Sequence, residues 1–237
     1  MFRTIIWFIY FWLYLLSIQP ALFRVKRLAK TGKSAEHDRL VNQTAKQWAF
    51  SLVRRAGVTV ETTGQEKIPS EGAVLFVSNH QGNFDIPILL GYIDKPKAFI
   101  AKIELLKVPM ISSWMTHLKC VFLDRSDIRQ SLRVINQAAE YLKEGRSMVI
   151  FPEGTRSKGE KTGEFKPGSL KLAVKAGVPI VPIAISGSYK IMEENGFIIK
   201  PAHVKVTVFD TIPTQRLTKE QADELSEKVK GIIEQGL

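Results

Sequence analysis

Cysteine is almost absent from the chain of 237 residues: Cys120 stands alone. A single thiol excludes an internal disulfide framework and any cysteine-rich zinc site, and it is compatible with a reducing cytoplasm. Histidine is also scarce, and we interpret His37, His117 and His203 as scattered surface or core residues. We therefore expect neither a metal ion nor another cofactor.

Acidic residues are in short supply. The chain has 23 Asp and Glu against 34 Lys and Arg, a formal net charge of +11. An excess of this size favours an anionic partner, either nucleic acid or an anionic membrane surface. The hydrophobic fraction of 45%, with 16 Gly and 11 Pro, is typical of a globular protein and excludes collagen, a coiled coil or disorder throughout.

Charge is missing altogether from residues 4–23, which are rich in aliphatic and aromatic side chains. About twenty apolar residues are enough for a helix to cross the hydrocarbon core, and Trp and Tyr favour the bilayer interface. A cationic cluster comes directly after this segment: Arg24, Lys26, Arg27, Lys30 and Lys33. Such a cluster gains on the order of 1 kcal/mol per cation near anionic lipid. The pairing predicts membrane lipids as partners and argues against nucleic acid.

Two placements of this segment stay open. Its length permits a spanning helix, while Pro20 and the aromatic content permit a helix lying in the interface. A cleaved secretory signal is disfavoured because no small-x-small cleavage site comes after the apolar core. In either placement the positive-inside rule puts Arg24 and the residues C-terminal to it on the cytoplasmic side of the cell membrane.

The rest of the chain alternates between helical and strand-like patterns. A helix is predicted over residues 35–56, with Ser34 as N-cap and Gly57 at its end. Strands are predicted over residues 58–61, 73–78, 98–101, 120–123, 148–151, 181–185 and 204–209. Further helices are expected over residues 128–144, after an Asp127…Gln130 capping box, and after a Thr218…Gln221 box.

This alternation predicts an α/β fold: a mixed, largely parallel sheet flanked by helices and preceded by a membrane-associated segment of two helices. We divide the chain into residues 1–57, the apolar helix, basic cluster and amphipathic helix, and residues 58–237, one α/β domain. Residues 157–164 are interpreted as a mobile surface loop.

The predicted strand 73–78 leads into a polar segment that contains His80 and Asp85. In α/β sheets, active sites collect where strands end and loops begin. The four residues between the two allow the carboxylate to reach the imidazole, and such a pair forms a general base with an orienting acid. Taken alone, this spacing is more often a helix-capping aspartate near a loop histidine, so the pair must be weighed with the rest of the chain.

Cations lie just beyond the other predicted strands. Arg156 comes shortly after strand 148–151 and offers a planar fork for phosphate, while Gly154 permits close approach of a ligand. Arg125 comes after strand 120–123, and Lys102 after strand 98–101. Singly, each is typical of a solvated surface charge. Together they predict phosphate-binding groups beside a base.

Four segments, in order, resemble the motifs of the glycerolipid acyltransferases that carry the H-x4-D signature. Residues 79–85 resemble that signature, and residues 122–125, 151–156 and 178–182 resemble the second, third and fourth motifs. The resemblance covers roughly residues 36–209. Within the family it is closest to the bacterial 1-acyl-sn-glycerol-3-phosphate acyltransferases.

The resemblance implies transfer of a fatty acyl group from acyl-ACP or acyl-CoA to the sn-2 hydroxyl of lysophosphatidic acid. The product would be phosphatidic acid, in phospholipid biosynthesis. His80 would be the general base and Asp85 its orienting acid. The implied substrate-binding residues are Lys102, Arg125, Glu153, Gly154, Thr155 and Arg156. We expect Glu153 to orient an arginine or accept a glycerol hydroxyl rather than act as a base.

No Gly-x-Ser-x-Gly elbow occurs, and Cys120 lies in a predicted strand, so we expect direct transfer without a covalent acyl-enzyme. Three alternatives are kept. The first is a related acyltransferase whose acceptor is lyso-ornithine lipid or glycerol 3-phosphate. The second is a phosphoesterase, which would need metal ligands or a covalent phosphoryl acceptor that the spacing does not offer. The third is a non-catalytic protein that binds anionic lipid.

Overall fold

The computed structural model describes residues 1–124, 127–166 and 168–237. Three helices open the chain: α1 (Phe2–Ser17), α2 (Gln19–Lys30) and α3 (Ser34–Arg55). The strands are β1 (Thr59–Thr63), β2 (Leu75–Ser78), β3 (Ala98–Lys102), β4 (Val121–Leu123), β5 (Met148–Ile150), β6 (Ile180–Ser186) and β7 (His203–Val208). The later helices are α4 (Asp85–Tyr92), α5 (Ile111–His117), α6 (Ile128–Lys143), α7 (Lys171–Ala176) and α8 (Lys219–Glu234).

The seven strands form one mixed, mostly parallel sheet in the order β1-β7-β6-β2-β5-β3-β4. Neighbouring strands pair in parallel, with β6 and β7 antiparallel. The predicted α/β fold, a mixed and largely parallel sheet flanked by helices, is confirmed, while membrane association of the N-terminal helices stays a prediction. Because β2 to β6 all run in one direction, the loops at their C-terminal ends meet at one edge of the sheet, which we call the carboxyl edge. The opposite edge, where these strands begin, is the amino edge.

Each predicted strand lies within two residues of an observed one. The central strands β2 and β6 are buried along almost their whole length. A strand covered on both faces appears in sequence as a continuous apolar run, and this is the pattern that predicted them.

The apolar segment at the start differs from the single helix that was predicted. It is divided at Ile18 into α1 and α2, with Pro20 in the first turn of α2. Proline is tolerated there because the first N–H groups of a helix have no partner within it. The two axes are bent by 41°. Among the described residues, no single helix has the length and apolar character to cross a bilayer, whereas this bent pair meets both requirements together.

Helix α1 packs on α3 along one face. The indole Nε1 of Trp7 donates to the carbonyl of Leu52 at 2.9 Å, and the guanidinium of Arg3 donates to the carbonyl of Ala56 at 3.1 Å. Trp7 belongs to the same apolar core as the sheet. A second apolar cluster joins α1, α2, α3 and α5: Leu15, Leu22, Val25, Val41 and Trp114.

Of three predicted helix N-termini, the structure confirms one in full and one in part, and it contradicts the third. Thr218 and Gln221 form the full capping box of α8. At α6 the Asp127 carboxylate accepts the N–H of Gln130, but the Gln130 side chain turns away to the backbone of Phe122 and Asp124. Ser34, the predicted N-cap of α3, is instead its first helical residue, and Lys33 occupies the cap position without a side-chain hydrogen bond.

Candidate active site

The imidazole of His80 and the carboxylate of Asp85 are in direct contact at the carboxyl edge. His80 lies in the loop after β2, and Asp85 opens α4 with a fully buried side chain. His80 Nδ1 and Asp85 Oδ2 are 2.7 Å apart. The N–H of Gly82 donates to the same oxygen at 2.8 Å. The loop therefore folds back on itself as the four-residue spacing predicts.

The second oxygen of Asp85 accepts a hydrogen bond from the hydroxyl of Ser188, in the 3-10 turn Ser188–Ile191 after β6. Gln81 fixes this turn, because its side-chain oxygen accepts the N–H groups of Gly187 at 2.9 Å and Ser188 at 3.2 Å. Both oxygens of the buried carboxylate thus have donors, which is what burial of such a group requires. Asp85 is held in one orientation toward His80.

His80 itself is held from three sides. Its ring stacks on Phe151, with centroids 4.1 Å apart and planes inclined by 19°. Its backbone N–H donates to Glu153 Oε1 at 2.6 Å, and its carbonyl accepts the N–H of Ser157 at 2.8 Å. Because Nδ1 faces Asp85, Nε2 points away from that carboxylate. In the tautomer that this contact favours, Nε2 carries the free lone pair of a general base.

The carboxylate of Glu153 binds the main chain of two segments. Its two oxygens accept backbone N–H groups, that of His80 and, at 2.7 Å, that of Gly163. Burial raises the pKa of Glu153 above its usual value, and these two hydrogen bonds oppose that rise. Glu153 thereby links the His80 loop to residues 157–164, which are irregular but tied to the site. That it also orients an arginine or accepts a glycerol hydroxyl stays a prediction.

The carboxylate that pairs with Arg156 is Glu193. Its Oε1 lies 3.2 Å from Arg156 Nη1 and also accepts the N–H of Asn83 at 2.8 Å. Arg156 is thereby placed beside the loop that carries His80 and Asp85. The predicted base and one predicted phosphate-binding group therefore belong to one continuous network of contacts.

The other predicted substrate-binding residues are placed by topology. Lys102 ends β3 at the carboxyl edge, is exposed, and lies 3.7 Å from Glu104. Gly154 has a left-handed backbone (φ 71°), with the side chain of Lys166 against it, and Thr155 is exposed. Arg125 lies outside the described residues.

Metal-dependent and thiol chemistry each need particular side chains. Within residues 1–124, 127–166 and 168–237, no group of three or more His, Cys, Asp or Glu could hold a metal ion. Cys120 is buried, and burial raises the pKa of its thiol to about 12. A thiol in that state does not supply a thiolate nucleophile near neutral pH. Nε2 of His37, on α3, lies 3.0 Å from Nδ1 of His117, on α5.

Sequence reasoning missed Gln81, Ser188 and Glu193. Ser188 had a usable signal, because it comes after a predicted strand just as His80 and Arg156 do, and its loop ends at the same edge. Glu193 had none. It is 110 positions from Asn83, and no local pattern marks it.

A family model described as Acyltransferase matches residues 59–186. A protein of Mycoplasma pneumoniae named "Probable 1-acyl-sn-glycerol-3-phosphate acyltransferase" is 42% identical over 142 residues, which cover 58% of this chain and 53% of the relative. The chain thus spans about half the length of that relative. A "1-acyl-sn-glycerol-3-phosphate acyltransferase" of Borreliella burgdorferi is 30% identical over 178 residues, 75% of this chain and 71% of the relative.

Among solved structures, a crystal structure of the "1-acyl-sn-glycerophosphate (LPA) acyltransferase, PlsC" from Thermotoga maritima superposes with a TM-score of 0.87. The two are 29% identical, and the match covers 99% of this chain and 93% of the other. The likeness therefore includes the three N-terminal helices as well as the sheet.

Proposed function

The chain belongs to the acyltransferase family, and from that membership we propose that it transfers a fatty acyl group from an acyl thioester to the sn-2 hydroxyl of lysophosphatidic acid, forming phosphatidic acid. The names of the relatives from Mycoplasma pneumoniae and Borreliella burgdorferi support this acceptor, as does the Thermotoga maritima structure. The observation that carries the proposal is the 2.7 Å contact of His80 with Asp85 in a network that reaches Arg156.

In this proposal His80 is the general base. Its Nε2 accepts the proton of the sn-2 hydroxyl while the oxygen attacks the thioester carbonyl. The tetrahedral intermediate then collapses, the C–S bond breaks, and the imidazolium returns the proton to the departing thiolate. Asp85 stabilises the imidazolium and fixes the ring, since its other oxygen is held by Ser188. Positioned general-base catalysis contributes about 10²–10⁴-fold.

Direct transfer is supported by the state of the possible nucleophiles. The Cys120 thiol is buried and its pKa is raised, and the Ser188 hydroxyl already donates to Asp85. A covalent acyl-enzyme needs a nucleophile beside a base. The hydroxyl beside the His80–Asp85 pair is committed to the carboxylate, so the acceptor alcohol itself is the proposed nucleophile.

The acceptor's phosphate is proposed to bind the cations of the carboxyl edge. Arg156 is connected through Glu193 to the loop that carries His80, and about a third of the Arg156 side chain is exposed. A guanidinium offers paired N–H groups that match phosphate oxygens. Lys102 at the same edge and Arg125 after β4 are proposed as further phosphate ligands. Gly154 and Thr155 belong to the same proposed binding segment.

The N-terminal helices are proposed to lie in the cytoplasmic interface of the cell membrane. One face of α1 is packed on α3 through Trp7, while the other presents large apolar side chains: Ile5, Ile6, Ile9, Leu13 and Leu16. Helix α2 carries Arg24, Lys26, Arg27 and Lys30. A helix that is apolar outward and bound to its own domain favours lying on the bilayer over crossing it. Lysolipid would then enter the site sideways.

Vesicle flotation of the full chain tests this placement. Vesicles are made of phosphatidylcholine with and without phosphatidylglycerol. The double variant Ile9→Asp/Leu13→Asp changes side chains that are 54% and 58% exposed. We expect it to lose most of its flotation. Leu132→Asp is the matched control, on α6 and 62% exposed, and it should float like the unchanged chain. Equal flotation of the double variant would contradict the proposed surface.

The activity is tested by offering three acceptors to the full chain in vesicles: lysophosphatidic acid, glycerol 3-phosphate and lyso-ornithine lipid. Each is paired with acyl-CoA and, separately, with acyl-ACP, and acylated products are measured by mass spectrometry. We expect phosphatidic acid from lysophosphatidic acid. Preferred acylation of another acceptor would support the related acyltransferases, and release of free phosphate a phosphoesterase. Lipid binding without turnover would support the non-catalytic alternative.

A further inference from the structure

Glu193 lies outside the four motif segments. It opens the 3-10 turn Glu193–Asn195, after the family match at residues 59–186 has ended. Although its backbone is accessible, its side chain is only 1% exposed. A carboxylate is rarely buried to this extent unless it is paired with another group. The contacts of Glu193 therefore indicate what it does.

One oxygen of Glu193 joins two parts of the proposed site. Oε1 accepts a hydrogen bond from Arg156 Nη1 at 3.2 Å and from the N–H of Asn83 at 2.8 Å. Asn83 belongs to the loop between His80 and Asp85, and Arg156 belongs to the segment proposed to hold phosphate. Glu193 thus connects the guanidinium of Arg156 to the loop between His80 and Asp85.

The other oxygen is buried without a hydrogen-bond partner in the part of the chain that the structure describes. It lies against Gly82, where a Cβ would collide with the carboxylate. The side chain is therefore closely enclosed, and Arg156 supplies its counter-charge. Since Arg156 is 30% exposed and Glu193 is 1% exposed, the pair presents guanidinium N–H groups outward and keeps the carboxylate covered.

We propose that Glu193 is a positioning residue that orients the guanidinium of Arg156 toward the acceptor's phosphomonoester and ties it to the loop of His80. The inference rests on the proposed function. A guanidinium that is held before binding loses less conformational freedom when phosphate arrives, so its fixed orientation increases affinity for the acceptor. Glu193 acts through Arg156 and does not itself touch the substrate.

The test is steady-state kinetics of the full chain in vesicles, with lysophosphatidic acid and the acyl thioester varied independently. For Glu193→Ala we expect the KM for lysophosphatidic acid to rise about tenfold or more, with the KM for the thioester unchanged. Glu193→Gln keeps an oxygen that can accept from Asn83 and Arg156, so it should restore part of the affinity. Glu194→Gln, the exposed neighbour, is the matched control and should match the unchanged chain.

A double-mutant cycle separates positioning from a merely structural part. In an Arg156→Ala background, Glu193→Ala should add little to the KM already lost, because the two act on one interaction. The inference would be overturned if the KM increases of the two single variants multiplied in the double variant. It would also be overturned if Glu193→Ala lost thermal stability while its KM for lysophosphatidic acid was unchanged.

If Glu193→Ala does not fold, the same test is made with Glu193→Gln, alone and combined with Arg156→Ala. An unchanged KM for lysophosphatidic acid in Glu193→Gln again overturns the inference. Absence of phosphatidic acid from the unchanged chain would instead overturn the proposed function. The two failures are therefore distinguishable.

Discussion

The two edges of the sheet both bury charged groups, but they satisfy them in different ways. At the carboxyl edge the buried Asp85 accepts hydrogen bonds from Gly82 and Ser188 and contacts His80. At the amino edge the buried ammonium of Lys97 donates to the carbonyl of Ile93 at 2.8 Å and lies 5.9 Å from the Phe76 ring centroid. Burial lowers the pKa of Lys97 to about 7.

The contrast shows that burial of charge does not by itself mark a site. The amino edge also has a groove of about 710 Å³ lined by Lys97, yet the hydrogen bond of its ammonium ends at a backbone carbonyl. At the carboxyl edge the contacts run from a buried acid to partly exposed side chains, those of His80 and Arg156, that could meet a substrate. Connection to accessible reactive groups distinguishes the two.

Among the changes that compare the two edges, the largest effect is expected when Asp85 is changed to Asn. An amide cannot stabilise the imidazolium as a carboxylate does, so the rate of phosphatidic acid formation should fall about 10²–10⁴-fold in the vesicle assay. The matched change Asp94→Asn removes an exposed carboxylate at the amino edge, paired with Lys46 at 2.7 Å, and should leave the rate unchanged. If the rate of Asp85→Asn stayed within tenfold of that of the unchanged chain, the buried acid at the carboxyl edge would matter no more to turnover than the charged groups at the amino edge.

A smaller loss is expected for Ser188→Ala. The variant removes one hydrogen bond to Asp85 and leaves the His80 contact in place. Hydrogen bonds to charged groups contribute about 1.5–3 kcal/mol, so kcat should fall about tenfold or more, with the KM for lysophosphatidic acid unchanged. Ser51→Ala, a serine bound to the carbonyl of Trp48 in α3, is the control. An unchanged kcat would show that Asp85 is oriented without this hydroxyl.

No loss of turnover is expected for Lys97→Met, but stability should change. The pKa of Lys97 is about 7 in the folded chain and 10.5 ordinarily. Between these pH values the unfolded chain binds more protons than the folded chain, so the free energy of unfolding rises with pH. The cost of burying the charged amine of Lys97 is fully present below pH 7. The penalty amounts to at most about 5 kcal/mol.

Lys97→Met should therefore stabilise the chain near pH 6.5 and remove this rise. Urea unfolding of the variant and of the unchanged chain at the same pH values measures the difference, in which the titration of Cys120 cancels. If Lys97→Met and the unchanged chain had equal free energies of unfolding at every pH, or if the variant lost turnover, a purely structural role of Lys97 would be contradicted.

Much of the fold could be predicted because its signals are local. Strands β2 and β6 are apolar runs, and the spacing of His80 and Asp85 spans a single loop. The break at Ile18 was not predictable, because Pro20 is compatible with a kink, a helix start or an interfacial helix. Ser188 and Glu193 lie more than a hundred positions from the residues that they contact in the site, and the packing of β6 beside β2 brings them together.

In the proposed mechanism one imidazole, oriented by a buried carboxylate, removes the proton of the acceptor hydroxyl. The most direct test of this claim measures how fast the His80→Ala variant forms phosphatidic acid from lysophosphatidic acid and acyl thioester, with vesicle flotation measured on the same sample. We predict that the rate falls about 10²–10⁴-fold while flotation is unchanged. A variant that floats normally and keeps more than about a tenth of the original rate would contradict the claim.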